Sequence, residues 1–180
     1  MFSLRRCLVL IACVMSAPLL AQTSDSQNAL LAKYRCQLSD MLRQVYEAPS
    51  AYKQLNRFLV LSGPSRSSDY VQCMFGENRT KLYCEASTGY YDVAEDKPRR
   101  RYPSDTVNEA FRRLGFAVGS GEKNYPYERD FTGTPDFDEI AKLMLLTMHD
   151  GYGARAQTTL KVHAPFARKP PAGCGAQPTR

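Results

Sequence analysis

Residues Arg57–Ser87 read RFLVLSGPSRSSDYVQCMFGENRTKLYCEAS, and the way this stretch alternates decides the fold. Arg57–Leu61 is an apolar run rich in strand formers. Ser62–Ser68 is a loop by composition, because Gly63 and Pro64 punctuate it and its serines compete for backbone hydrogen bonds. From Asp69 to Phe75, one face carries Val71, Cys73 and Phe75; the other carries Tyr70, Gln72 and Met74. Gly76–Arg79 is a turn. From Thr80 to Ser87, Leu82, Cys84 and Ala86 alternate with Tyr83, Glu85 and Ser87. This period of two predicts three consecutive antiparallel strands, buried on one face. With Asn78 and Arg79 in a tight turn, Cys73 and Cys84 are directly opposite. With Glu77 and Asn78 there instead, they are diagonal neighbours on the same face. Opposite Cβ atoms approach to about 4.5–5.5 Å, close enough for a disulfide after small adjustment. Two buried free thiols are the competing reading, since Cys is among the most buried residue types. The compartment decides between them.

The start of the chain speaks to compartment. Met1–Arg6 ends in two arginines, Cys7–Met15 is apolar, and Ser16-Ala17-Pro18-Leu19-Leu20-Ala21 leads to a small residue. That order is a secretory signal peptide, residues 1–21, with cleavage expected after Ala21. The apolar run is too short to span a bilayer, so no stable membrane span is expected after cleavage. Leu10-Ile11-Ala12-Cys13 also resembles a lipobox, which makes a lipoprotein anchored at Cys13 the minority reading. Export implies a periplasmic or secreted location, where thiols oxidise. Loss of residues 1–21 removes Cys7 and Cys13 and leaves Cys36, Cys73, Cys84 and Cys174. An even count implies two disulfides, with three connectivities open. Cys73–Cys84 with Cys36–Cys174 is the favoured set, the second stapling a C-terminal tail to the first helix. Loss of Arg5 and Arg6 takes the formal charge from +6 to +4. That excess is mild; it suits an acidic partner without indicating nucleic acid.

The remaining elements follow in order. Asn28–Glu47 is read as a helix from the stripe Leu30, Tyr34, Leu38, Met41, Leu42 and Val45. Thr88–Asp92 extends the third strand. Glu95–Pro103 holds Arg99, Arg100, Arg101 and Tyr102, close in sequence to Tyr90 and Tyr91. Those six residues are the candidate binding set, able to grip an anionic ligand or acidic peptide; the same composition also fits a solvated loop between prolines. A second helix runs from Ser104 or Asp105 to Leu114 and ends at Gly115. Phe116–Val118 starts a strand. Asn124–Phe131 is a further strand, and Pro126 puts it at an edge or a bulge. A third helix runs from Pro135 to Asp150, apolar round much of its circumference. Thr158–Ala164 is a last strand with Leu160 and Val162 inward. Residues 165–180 form a Pro/Gly-rich tail. The order α-β-β-β-α-β-β-α-β predicts one α+β domain, residues 28–164: an antiparallel sheet with three helices packed on it.

Chemistry is hard to find in this chain. Its two histidines, His149 and His163, form no metal box, and the cysteines lack zinc spacing. His149 is expected at a helix C-terminus on the surface. Asp136, Asp138 and Glu139 read as ordinary acids in a helix's first turn, although paired carboxylates also suit a small exported hydrolase. No catalytic residue, metal or cofactor is expected. Eleven tyrosines and no tryptophan are compatible with a binding face.

Four fragments carry a resemblance: Tyr70-Val71-Gln72-Cys73, Cys84-Glu85-Ala86-Ser87, Leu114-Gly115-Phe116 and Asp150-Gly151-Tyr152-Gly153. With the element order over residues 28–164, they resemble the TY-Chap domains, a family related to the YbjN proteins and the type III secretion chaperones. The resemblance implies an α+β sheet with helices on one face, often a homodimer, that binds another protein rather than turning over a substrate. The expectation is therefore an exported, non-enzymatic protein-binding domain in an accessory, chaperone or inhibitor role. A carboxylate hydrolase and a structural envelope component are the alternatives.

Overall fold

The computed structural model describes residues 19–49, 57–63, 68–76, 79–90, 93–94, 97–98, 103–119, 123–167 and 174. Helix α1 spans Leu19–Glu47. Every member of the predicted stripe, Leu30, Tyr34, Leu38, Met41, Leu42 and Val45, is buried. The helix begins at Leu19 rather than Asn28, because no Gly or Pro interrupts the intervening residues.

The meander is present as β1 (Phe58–Ser62), β2 (Tyr70–Phe75) and β3 (Lys81–Ser87). Cys73 lies directly opposite Cys84, which resolves the register left open above, and the two form a disulfide with Cα atoms 4.0 Å apart. Thr88–Tyr90 do not continue β3 as expected, and Tyr91 and Asp92 lie outside the described residues. The Thr88 hydroxyl turns aside to the Lys123 carbonyl, the Gly89 N–H bonds the Ser87 side chain, and Gly89 takes a φ of 75°. Local side-chain bonds have outcompeted the ladder there. A two-residue ribbon follows, β4 (Val93–Ala94) with β5 (Lys97–Pro98).

Helix α2 spans Asp105–Arg113, capped by the Ser104 side chain on the Val107 N–H. The strand expected at Phe116–Val118 is absent. The Ala117 N–H donates to the Pro126 carbonyl at 2.8 Å, but Pro126 has no N–H to return the bond, so a ladder cannot propagate. Strand β6 is Asn124–Asp130. Helix α3 spans Phe137–Leu146 and passes into a π-helical turn, Thr147–Gly151. Its first residue lies two places beyond the expected Pro135, because Asp136 acts as the cap, accepting from the N–H groups of Asp138 and Glu139. Strand β7 is only Lys161–His163; Thr158 is spent on a turn, exchanging bonds with Arg155.

The sheet order is β6-β3-β2-β1-β7, all antiparallel. Strand β6 is an edge, as Pro126 predicts. Helices α1 and α3 pack together over the face formed by Leu59, Leu61, Val71, Phe75 and Leu82. The class is α+β. A second disulfide, Cys36–Cys174, ties the tail to α1. Among the described residues no helix is long and apolar enough to cross a membrane.

Candidate functional site

The register of β6 locates the site. Leu82 faces Arg129, Cys84 faces Tyr127 and Ala86 faces Tyr125. Since Leu82, Cys84 and Ala86 are core residues, the three β6 side chains opposite them share the helix-covered side of the sheet. Burial falls along that row: Tyr125 is buried, Tyr127 half-buried and Arg129 exposed. The helices leave a corner open at Arg129; just past β6, Phe131 is again half-buried, against Tyr46 and Phe75.

That open corner is a cavity of about 220 Å³ between the end of α2, one side of α3 and β6. Buried Leu82 and Ile140 form its floor. Half-buried Leu114, Tyr127, Leu143 and Leu146 form its walls. Gly115 sets how closely α2 approaches β6: a Cβ there would stand 3.1 Å from the Tyr127 ring, and its φ of +91° also favours glycine.

The rim is charged. Arg113, Arg129 and Lys142 stand there with one carboxylate, Glu139. Lys142 Nζ lies 3.5 Å from Glu139 Oε1. Arg113 Nη2 lies 3.9 Å from Asp150 Oδ2, longer than a good charge-assisted bond of about 2.7–2.9 Å. Arg129 forms no ion pair among the described residues. The result is an apolar hollow under a net positive rim.

Of the six candidate binding residues, Tyr90 is described; Lys123 Nζ lies 5.5 Å from its ring centroid. Tyr91, Arg99, Arg100, Arg101 and Tyr102 lie outside the described residues. Arg113, Arg129 and Lys142 were missed by the sequence reading. The signal was present for one of them. Arg129 continues the alternation of Tyr125 and Tyr127, and a charge at a core-facing position marks the edge of the covered area.

His149 is a correction. It was expected on the surface and is 3% exposed. The π-helical turn ending α3 directs it at α1, where Nε2 lies 2.5 Å from Ser26 Oγ. Its Nδ1 lies 2.6 Å from Asp150 Oδ1, which also accepts from Gln27 Nε2 at 2.8 Å. The sequence Ser–His–Asp has the order of a hydrolytic triad. Ser26 sits inside α1, where the neighbouring backbone N–H groups are spent on helix bonds. These hydrogen bonds tie Ser26 and Gln27 of α1 to the end of α3. The acids at the start of α3 are likewise engaged. Asp136 caps, Glu139 meets Lys142, and the Arg35 guanidinium holds the Asp138 carboxyl below its ordinary pKa.

Two further cavities lie among the described residues. One of about 330 Å³ sits beside Asp69, Tyr152 and the Gln157–Thr159 loop. The other, about 440 Å³, is a shallow depression over Arg35, Cys36 and Asp138. The first sets a single charge, Asp69, beside buried Met148 and Ala154; in the second, Arg35 and Asp138 pair with each other. Comparison with protein-family models, with curated proteins and with solved structures returned no match.

Proposed function

We propose that this chain is an exported, non-enzymatic protein-binding domain, of the chaperone-like kind that the TY-Chap resemblance implies. The supporting observation is the cation-rimmed apolar groove between α2, α3 and β6. A hollow of about 220 Å³ is smaller than the 300–1,000 Å³ range of small-molecule sites. It is the size for a side chain of another protein. Apolar walls supply affinity and a charged rim supplies orientation. Two disulfides fit an oxidising compartment, which supports export to the periplasm or beyond. A carboxylate hydrolase draws less support, because Asp136, Asp138 and Glu139 each have a structural partner.

The test is a cross-linking scan of the exported, oxidised protein. A photoreactive residue is placed in turn at Leu143, Tyr90 and Lys161. Discrete protein adducts support the reading. No adduct from any position, together with turnover of an ester or glycan substrate, would replace it with an enzyme. Mass spectrometry of the same sample under non-reducing conditions reads the mature N-terminus and the lipid state of Cys13.

A further inference from the structure

We infer that the groove recognises one acidic side chain next to a bulky apolar one, on an acidic segment of the partner protein. This rests on the protein-binding reading above and gives it a chemistry. Three cations share the rim with one carboxylate, Glu139, which Lys142 already meets. Arg129 has no ionic partner among the described residues, and the nearest carboxylate to Arg113 is at 3.9 Å. A guanidinium group can take a carboxylate from outside in a two-pronged manner, and Arg113 and Arg129 both stand on the rim. Beneath it, the hollow walled by Leu114, Tyr127, Leu143 and Leu146 accepts the neighbouring apolar side chain.

The surroundings narrow the class. Glu139 stands at the lip among the three cations. A polyanion such as RNA needs a continuous cationic track for its regularly spaced phosphates. Three cations broken by Glu139 make no such track. A single carboxylate is accommodated; a row of phosphates finds no matching row of charge.

The probe is a fluorescent Gly-Ser-Glu-Leu-Phe-Glu-Gly-Ser peptide, titrated by anisotropy against the full oxidised chain. One twin carries Gln for Glu and another carries Ser for Leu and Phe. The Glu peptide is expected to bind, with each twin about tenfold weaker, a difference of about 1.4 kcal/mol. Arg129→Glu should cost a similar factor, whereas Lys161→Glu on β7, at the opposite edge of the sheet, should leave binding unchanged. Raising salt from about 0.1 M to 1 M shortens the screening length from about 10 Å to 3 Å and should weaken binding. Circular dichroism checks that Arg129→Glu is folded; Arg129→Gln, which removes the charge without reversing it, should weaken binding less.

Equal binding of the Glu and Gln peptides would overturn the inference, as would an unaffected Arg129→Glu protein or no binding up to about 1 mM peptide. Tighter binding of a single-stranded oligonucleotide of equal charge would overturn it in favour of nucleic acid. Failure here is distinct from failure of the wider reading. Protein adducts from Tyr90 or Lys161, with none from Leu143, would remove the groove and leave a protein-binding domain.

Discussion

At the residue scale, Gly151 shows how much of this structure lies outside any local rule. The sequence marks it as a helix stop, and Gly153, with its φ of 73°, serves that purpose. Gly151 does something else. A Cβ there would stand 2.4 Å from Phe111 Cε1 and 2.6 Å from Cζ. Phe111 is fully buried and held by ring contacts with Phe116, Tyr125 and Tyr152, so it cannot step aside cheaply. Gly151→Ala should therefore destabilise the protein by about 1–3 kcal/mol through overpacking. The check is a urea titration, in which the midpoint falls while the slope stays constant. Arg129 is the opposite case. Its place in the Tyr125–Tyr127 alternation was legible in the sequence, but that α2 and α3 leave it exposed was not.

At the element scale, the strands and helices were legible because each is written in a local period, whereas their ends were not. The predicted strand at Phe116–Val118 failed for want of one N–H at Pro126, a partner distant in sequence. The end of α3 is also decided from afar. Thr147 Oγ1 donates to the Leu143 carbonyl, a bond that bends helices, and the π-helical turn follows. Just past it, the Tyr152 hydroxyl lies 2.9 Å from the Tyr70 carbonyl and 2.7 Å from that of Ser87. One proton is shared between two strand ends, tying the end of α3 to β2 and β3. Burial first, then the nearby Asp69 charge, holds this phenol well above its ordinary value of 10.0. A raised folded pKa contributes stability that is complete below the unfolded value and is lost as pH rises through the folded one. Tyr152→Phe should cost about 1–3 kcal/mol near neutral pH, since two buried carbonyls lose their donor. The gap between wild type and variant should narrow above about pH 10, where the unfolded tyrosine ionises. Urea titrations on either side of that value decide it.

At the scale of the whole molecule, the Cys36–Cys174 bridge closes a sequence separation of 138 residues. Cys36 is exposed and Cys174 half-buried, so replacing both by Ser opens no cavity and removes only the constraint. The chain-entropy model assigns such a loop a contribution of about 5 kcal/mol, against about 3 kcal/mol for one of some 15 residues. The Cys36→Ser, Cys174→Ser protein should lose stability up to that amount in non-reducing urea. A loss well under 1 kcal/mol would mean that the bridge alone holds the tail, which then comes loose in the folded state as well and offsets the freedom gained by the unfolded chain. The same two-sidedness applies to the groove. Its floor is core, its walls are the shoulders of two helices, and its charges come from α2, α3 and β6. No one segment encodes it.

Sequence alone determined the α+β class, the three-strand meander and the three helices, which follow from alternation and helical stripes, properties of neighbours along the chain. It left three pairings of the four cysteines open, and the structure decided among them. The burial of His149, the silence of Phe116–Val118 as a strand and the meeting of Arg113, Arg129 and Lys142 over an apolar floor were decided only by tertiary structure. They depend on where two helices end relative to a sheet edge, and that is set by packing between residues far apart in the chain.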